Sequence, residues 1–554
     1  MSLRFLPFVA ILVVYLVGAV AIDVMDIDAA QYANIGREMS DNNQFLEVQY
    51  RNDDYYLDKP PLLFWLSALV FKLFGASNFA YRFFPVLSTL LGMYALYRFA
   101  KLYYSEQTAT VAALVMGSCQ AFFLMNHDVR CDTLLTNCVT VAIWQIAAFR
   151  LHQRWTNLIV GAVFVGLAML AKGPIGLIVV GVAFFIDFVL KRDWKALFNW
   201  KWLVAAVVVG LVLTPYCVGL YRQYGAEGLY FFFWKQSFGR ITGESDWANS
   251  PGLQFQAQNF LWSFLPWVLV FVPALVAAFQ VVFKQRLLLS GQQEAISLAG
   301  FVLPFAALST AQYQLPHYTF VVFPLAALIT AHYLSELIND KTATYAQAFR
   351  WVRWGLMLTT WIMILVVTAL CTWAFPLRNV VLAGVLIFMA FLSIRLFGQA
   401  RPRFSQLVFA PLVVALAANL ALNSHVYPTL LTYQSGSQLG HYLAKSNIDL
   451  GRFYVYDANP PENFYLFHDA LEFYTRRVAP VVRTPAELPQ TGTYWIYTDQ
   501  KGLDSIQQKA RQTEVLRAYQ KFHVTGLTLP FLNPATRLNE TQAVFLVKVE
   551  GLKP

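Results

Sequence analysis

Charged side chains are scarce in this chain of 554 residues. Asp, Glu, Lys and Arg together make up 13% of the sequence, whereas hydrophobic residues make up 58%. Soluble domains carry about 25% charged residues, so the composition excludes a large soluble enzyme. Apolar stretches of roughly 17–25 residues, each long enough to cross a bilayer, recur from residue 5 to residue 424. We therefore predict an α-helical polytopic membrane protein.

Cysteine is also rare, and its placement limits what it does. No cysteine pair has the CxxC spacing of a zinc or redox site, and none follows residue 424, so the C-terminal tail contains no disulfide. Internal repeats and low-complexity tracts are absent as well. The five cysteines lie in or beside apolar stretches, at Cys119, Cys131, Cys138, Cys217 and Cys371.

The net charge of +10 is by itself a feature of nucleic-acid-binding proteins. Here, however, Lys and Arg cluster at the ends of apolar stretches, where the positive-inside rule explains them. A few of them are also suited to hold lipid phosphates. We therefore expect membrane lipids as partners and no nucleic acid.

Fourteen apolar stretches are candidate spans. The first ends in Ala19-Val20-Ala21, the form of a signal-peptide cleavage site, but it exceeds a typical signal core of about 7–15 residues, so we expect it to span. The candidates are 5–22, 60–75, 79–99, 108–125, 133–149, 155–171, 175–190, 201–221, 258–279, 295–310, 318–335, 353–375, 379–397 and 405–424.

The basic loops decide which of these stretches cross. The stretch 60–75 is short, opens with two prolines and contains Lys72, which favours a helix lying in the interface. If it does not cross, thirteen spans remain, with the N-terminus inside and the C-terminus outside. The strongly basic loops then share the cytoplasmic side, namely Arg98/Lys101, Arg150/Arg154, Lys191/Arg192/Lys195, Lys284/Arg286, Lys341/Arg350 and Arg395/Arg401/Arg403.

This topology places the unusual polar residues on the outer side, in the loops 23–78, 126–132, 172–174, 222–257 and 311–317. We expect an outward-facing active site in a transmembrane catalytic domain of residues 1–424. Residues 425–554 are predicted to form an outer α/β domain. Its strands are expected at 453–456, 494–497 and 544–547, and its helices at 440–446, 470–477 and 503–511.

Two acidic loops carry the first candidate catalytic residues. In the loop MDIDAAQY at 25–32, Asp28 either caps the following helix or orients and deprotonates an acceptor; Asp26 is more readily explained as a cap. The loop NHDVRCD at 126–132 supplies Asp128, Arg130 and Asp132. These side chains belong either to a solvated turn or to a site shared with Asp28. His127 beside them is compatible with a divalent metal ion, although the spacing is not diagnostic.

Three cations are candidate ligands for a lipid phosphate. In the motif DKPP at 58–61, prolines hold the chain extended, so Lys59 either snorkels to headgroups or neutralises a phosphate leaving group. Arg82 lies inside an apolar stretch and is costly there unless it meets an anion or a cavity. Arg240 follows the aromatic run 230–233 and is the third candidate. His317 and Tyr318 lie at the outer end of a span, where they are either structural residues or substrate contacts.

Taken together, these motifs resemble the polyprenyl-phosphate-sugar-dependent glycosyltransferases of the GT-C fold. The resemblance rests on 28–39, 58–62 and, in the same order, on Arg130-Cys131-Asp132, AKGP at 171–174 and PHY at 316–318. Within this family it is greatest to the transferases that add 4-amino-4-deoxy-L-arabinose to lipid A, which are relatives of the protein O-mannosyltransferases. Many members have Asp-Glu in the first loop, whereas Ala29 follows Asp28 here. We therefore expect Asp28 to be the one catalytic carboxylate of this loop.

The resemblance implies an undecaprenyl-phosphate-linked aminosugar donor and a lipid A phosphate acceptor at the periplasmic face of a bacterial inner membrane. The product would be a lipopolysaccharide that confers resistance to polymyxin and cationic peptides. No cofactor is firmly implied, although the acidic loops are compatible with a divalent metal ion. By position, the catalytic carboxylates would be Asp28 and Asp132; the donor-phosphate ligands Lys59, Arg240 and Arg82; and the substrate contacts Tyr32, Arg130, Lys172, His317 and Tyr318.

Two other functions compete with this one. A related transferase would move a hexose to a protein hydroxyl or a glycan. A flippase or transporter would instead show polar residues near the middle of spans and internal repeats, whereas here the spans are mostly apolar and the polar residues gather in outer loops.

Overall fold

A computed structural model describes residues 5–51, 54–236, 239, 249, 251–340, 342–399, 403–458 and 468–553. Helices occupy most of the chain up to residue 443, and a mixed β-sheet follows. The predicted fold class, a polytopic helical membrane protein with a C-terminal α/β domain, is confirmed.

Each predicted apolar stretch is helical, because a helix satisfies its own backbone hydrogen bonds in an apolar environment. Many of these helices expose apolar side chains on one side, whereas Cys131–His152 is almost entirely buried. The helices of this region are Leu6–Ala21, Asp28–Asn42, Leu62–Phe74, Asn78–Tyr103, Glu106–Ser118, Gln120–His127, Cys131–His152, Trp155–Lys172, Ile175–Leu190, Trp194–Leu197, Lys201–Tyr230, Gln254–Ser263, Val268–Lys284, Ile296–Ser309, Phe323–Asn339, Ala343–Ala369, Val380–Gly398 and Ala410–Ala421. Short 3-10 or π segments extend several of them: Phe231–Lys235, Pro316–Val322, Leu370–Ala374, Ser405–Phe409 and Leu422–Val426.

The candidate span 258–279 is not one straight helix. Two helices meet there at a bend of 119°, and Pro266, which has no backbone N–H to continue a helix, lies at the break. A gentler bend of 50° divides 108–125. In the described part of the chain, eight helices are long and apolar enough to cross a bilayer, or up to ten if each bent pair counts once. The number of thirteen spans therefore stays a prediction.

The stretch 60–75 forms the helix Leu62–Phe74, whose 13 residues extend about 20 Å at 1.5 Å per residue. That is shorter than the hydrocarbon core of about 30 Å, as a helix in the interface requires. It packs closely on the helix Asp28–Asn42, because a Cβ atom on Gly36 would lie 2.8 Å from Ser67 Cβ. The glycine thus lets the two helices of the first outer loop touch.

The C-terminal domain contains a five-stranded sheet in the order Val481–Val482, Phe453–Tyr456, Thr493–Asp499, Gln542–Glu550 and Thr513–Lys521. The first three strands run parallel and the last two antiparallel to their neighbours. All three predicted strands are confirmed, as are the helices, observed at Ser435–Leu443, Asp469–Thr475 and Gln500–Lys509. The strand Thr513–Lys521 was missed because it is an edge strand with largely exposed, polar side chains. Helical structure continues through residue 424, so the boundary there stays a prediction.

Arg82 holds together the two acidic loops. It is completely buried, and its guanidinium donates hydrogen bonds to the carbonyl oxygens of Ile22 (2.6 Å) and Asp23 (2.9 Å) before the first loop, and of His127 (3.0 Å) in the second. The expectation that Arg82 binds the donor phosphate is thereby corrected: its donors are occupied by backbone acceptors, and no face of it is exposed to a ligand.

Replacement of Arg82 by Met should therefore destabilise the protein by about 3 kcal/mol or more, since the buried carbonyl groups lose their donors. Thermal unfolding of the detergent-solubilised protein measures this. Arg98→Met is the matched control, because Arg98 lies on the same helix and donates to the Tyr94 hydroxyl near the surface. Equal unfolding temperatures for the two variants would contradict the role assigned to Arg82.

Candidate active site

The two acidic loops meet through Arg130. Its Nη1 donates to Asp28 Oδ2, and its Nε donates to Asp128 Oδ2 at 3.0 Å. Burial lowers the pKa of Arg130, but the two carboxylates outweigh this and raise it above its ordinary value. Asp28 begins the helix Asp28–Asn42, and its side chain keeps 40% of its surface exposed. One face of Asp28 is therefore paired while another remains accessible to a substrate.

Asp132 is the centre of a second group of charges. Its Oδ1 accepts from Lys172 Nζ at 2.5 Å, and its Oδ2 lies 3.7 Å from His317 Nε2. Lys172 Nζ also lies 3.9 Å from the ring centroid of Tyr318. Asp132 is only 3% exposed, so it holds the two cations in place and has little surface left for a substrate. The three outer loops 126–132, 172–174 and 311–317 thus converge.

Lys59 lies in the same site as Asp28, Asp132 and Lys172. Four charged groups act electrostatically on the buried thiol of Cys131, and these are Lys59, Asp132, Lys172 and Asp28. The loop before Lys59 is anchored by Gln236, whose Nε2 donates to the Asp58 carbonyl oxygen at 2.6 Å. Residues of all five predicted outer loops therefore surround one site, as the assignment of these loops to a single side requires.

The remaining predicted residues lie at the edge of this site or away from it. Tyr32 is buried against Phe64, and burial raises the pKa of its hydroxyl well above the usual range, so it packs as a neutral core residue. Arg240 lies outside the described residues. His127 points away from the carboxylates, with Nε2 3.4 Å from Asn423 Nδ2. Among the described residues, no group of three or more His, Cys, Asp or Glu side chains is arranged to hold a metal ion, and a metal requirement stays untested.

Residues of the C-terminal domain, which the sequence did not point to, contact the first outer loop. Arg51 donates to the carboxylates of Asp469 and Glu472, each at 3.4 Å, and the Tyr50 hydroxyl donates to Asp469. Asp26 turns toward this contact and accepts a hydrogen bond from the Ala470 amide at 3.0 Å. Because these pairs are separated by more than 400 residues, no local pattern reveals them.

Chemically, the site brings four potential cations to three carboxylates, of which Asp28 is exposed and Asp132 is buried. Lys59, Arg130, Lys172 and His317 suit a phosphate group, and Arg130 and Lys172 are held in place by acidic partners. Asp28 is the carboxylate with most surface available to orient a sugar or an acceptor. A positively charged centre with one accessible carboxylate is what transfer from a phosphate leaving group requires.

Comparison with known proteins agrees with this chemistry. Residues 58–218 match the dolichyl-phosphate-mannose-protein mannosyltransferase family. The undecaprenyl phosphate-alpha-4-amino-4-deoxy-L-arabinose arabinosyl transferase of Erwinia tasmaniensis is 28% identical over 337 residues, which cover 60% of this chain and 59% of the relative. One such transferase of Proteus mirabilis is 26% identical over 311 residues, covering 55% and 54%. The chain thus matches less than two thirds of the length of these relatives.

The structural likeness extends further. The crystal structure of ArnT from Cupriavidus metallidurans bound to undecaprenyl phosphate superposes with a TM-score of 0.74 at 16% sequence identity, covering 98% of this chain and 97% of the other. The C-terminal domain is included in this match. The likeness that the motifs indicate thus extends to the fold, which is what a structural match at this identity establishes.

The contact between Asp26 and the C-terminal domain generates a pH-dependent prediction. Burial and the neighbouring Asp469 raise the pKa of Asp26 to about 7. Between the unfolded value of about 4 and pH 7, the folded protein keeps a proton that the unfolded chain releases, so stability falls as pH rises through this range and levels off above it.

Asp26→Asn removes this titration and retains an acceptor for the Ala470 amide. We expect the variant to unfold at a higher temperature than the wild type at pH 8, with a smaller difference at pH 5. The residual pH dependence is expected to come from Glu472, whose pKa burial also raises to about 7. Exposed Asp504→Asn is the control, and a shift independent of pH would contradict the prediction.

Proposed function

We propose that this chain, which has the fold of Cupriavidus metallidurans ArnT, transfers 4-amino-4-deoxy-L-arabinose from undecaprenyl phosphate to a phosphate group of lipid A. The reaction would take place at the periplasmic face of a bacterial inner membrane. The modified lipopolysaccharide carries less negative charge, which lowers the affinity of polymyxin and other cationic peptides. The enzyme class is a pentosyltransferase with a lipid-linked sugar donor.

The observation that carries this proposal is the convergence of Lys59 and Lys172 near Cys131, beside Asp28, whose accessible carboxylate pairs with Arg130. In the transfer, an oxygen of the acceptor phosphate bonds to the anomeric carbon of the sugar while the bond from that carbon to the undecaprenyl phosphate oxygen breaks. The electron pair of the broken bond stays on the departing phosphate. In this proposal Lys59 stabilises the developing charge.

The acceptor determines the role of Asp28. A hydroxyl acceptor needs a general base to become nucleophilic, whereas a phosphate monoester is already an anion near neutral pH. Two anionic phosphates repel each other, so the cations must shield them and a carboxylate must hold the sugar between them. Asp28 is therefore proposed to orient the donor sugar through its amino or hydroxyl groups rather than to remove a proton.

An apolar cavity of about 410 Å³ along the helix Lys201–Tyr230 supports a lipid-linked donor. It is lined by Gly210, Leu213, Thr214, Cys217, Val218, Tyr221, Arg222 and Phe233. Phe233 is three residues from Gln236, which anchors the loop of Lys59. A chain of isoprene units in this cavity would place its phosphate near Lys59.

Gly210→Phe tests the cavity, because a Cβ atom at this position would meet no other atom within 4 Å and the phenyl ring would occupy space that the lipid needs. We expect the KM for the lipid-linked donor to rise about tenfold, roughly 1.4 kcal/mol of lost binding, with kcat nearly unchanged. Gly181→Phe is the matched control: it is also in an open position on a membrane helix and does not line the cavity. Equal KM values for the two variants would exclude this cavity as the donor site.

The activity itself is tested by incubating membranes containing the protein with defined lipid-linked donors and measuring the mass of lipid A. Addition of one or two aminoarabinose units is expected. Transfer of a hexose to a protein or glycan, with lipid A unchanged, would replace the proposal by the related transferase, and movement of the lipid across the bilayer without transfer would indicate a flippase.

Lys59→Ala and Asp28→Asn should each lower kcat/KM about a hundredfold, which corresponds to roughly 2.7 kcal/mol of transition-state stabilisation. Lys72→Ala is the matched control, since Lys72 ends the helix that follows Lys59 and contacts Asn43 away from the site. Activity within twofold of the wild type in either site variant would contradict the assignment.

A further inference from the structure

A buried glutamine from the other end of the chain holds the segment in front of Asp28. Gln434 is only 3% exposed. Its Nε2 donates to the carbonyl oxygen of Val24 at 2.8 Å, and its Oε1 accepts from the backbone amide of Asp26 at 2.8 Å. One side-chain amide thus satisfies both a donor and an acceptor of the loop backbone, as a neighbouring β-strand would.

Two further contacts fix the same segment. The backbone amide of Val24 donates to the hydroxyl of Tyr474 at 2.8 Å, and the carboxylate of Asp26 accepts from the amide of Ala470 at 3.0 Å. Residues 24–26 are therefore held on both backbone and side chain by the C-terminal region, and each partner lies more than 400 residues away in sequence.

The clamped segment is tied directly to the helix that begins at Asp28. The amide of Ala30 donates to the Met25 carbonyl at 2.9 Å, and that of Gln31 donates to the Ile27 carbonyl at 3.0 Å. The position of the first helical turn, and hence the direction in which the Asp28 carboxylate leaves the backbone, follows from where residues 24–27 are held.

We propose that Gln434 is a positioning residue for Asp28. The inference rests on the role proposed above for Asp28 in sugar transfer. Gln434 touches no substrate; it fixes the loop backbone so that the carboxylate meets the sugar in a productive orientation. A displacement of about 1 Å in such a group is enough to slow a reaction by up to a hundredfold.

Gln434→Met tests this proposal, because methionine has nearly the same volume and fills the buried space without forming either hydrogen bond. Gln438→Met is the matched control: Gln438 lies on the following helix and donates to the Leu431 carbonyl at 3.3 Å, away from residues 24–28. Kinetics are measured per amount of folded, monodisperse protein, and amide hydrogen exchange is followed by mass spectrometry in the full-length protein.

We expect Gln434→Met to lower kcat by about tenfold, the equivalent of roughly 1.4 kcal/mol, while the KM for the donor changes less than twofold. Exchange should rise at residues 24–28 and stay unchanged in the C-terminal sheet. The control should leave kcat, KM and exchange as in the wild type.

Normal kcat with faster exchange at residues 24–28 would overturn the proposal, since the clamp would then be irrelevant to the reaction. A lower kcat with unchanged exchange there, or faster exchange throughout the protein, would overturn it as well. If the wild type transfers a different lipid-linked sugar, the proposed substrate fails and the positioning role is judged from kcat in that reaction.

Discussion

The active site depends on the hydrogen bonds of one buried guanidinium. Arg82 lies within an apolar helix, where an unpaired charge is very costly, and it is stabilised by carbonyl oxygens at the end of the first membrane helix and at the start of the second acidic loop. These carbonyls need a donor as much as the cation needs acceptors. Because both requirements are met only when the two loops are adjacent, the membrane environment itself favours the arrangement in which Asp28 and Arg130 meet.

The charges of the site then balance one another in two groups. Arg130 is shared by Asp28 and Asp128, and Asp132 is shared by Lys172 and His317. The first group has an excess of negative charge, whereas in the second the charges of Asp132 and Lys172 cancel and Lys59 adds a positive charge nearby. A donor that carries an amino group on its sugar and a phosphate on its lipid has the same separation of charge. The accessible carboxylate of Asp28 suits the amine, and the cations around Cys131 suit the phosphate.

Much of this could be predicted from the sequence. Apolar length identified the membrane helices, the basic loops placed the polar motifs on one side, and Asp28, Lys59, Arg130, Asp132, Lys172 and His317 do gather at one site. The errors have physical reasons. The sequence shows that a cation within an apolar stretch needs acceptors, and it therefore predicts a phosphate near Arg82. It does not show that backbone carbonyl oxygens supply those acceptors instead. The bend near Pro266 and the contacts of Gln434 depend on packing between distant segments, which leaves no local pattern.

The contact between the first outer loop and the C-terminal domain buries acidic side chains together, which costs electrostatic free energy. Asp26, Asp469 and Glu472 are buried together, and Arg51 and His468 are the basic groups that pair with the last two. Replacing buried ion pairs by apolar side chains is often neutral or stabilising, so stability alone does not account for this cluster. A directional network of hydrogen bonds, however, fixes geometry more narrowly than apolar packing does, because each bond restricts distance and angle. In the proposed function the carboxylate of Asp28 must keep one position and orientation. Hydrogen bonds between its loop and the C-terminal domain fix that position, whereas an apolar contact would let the loop shift along the domain surface.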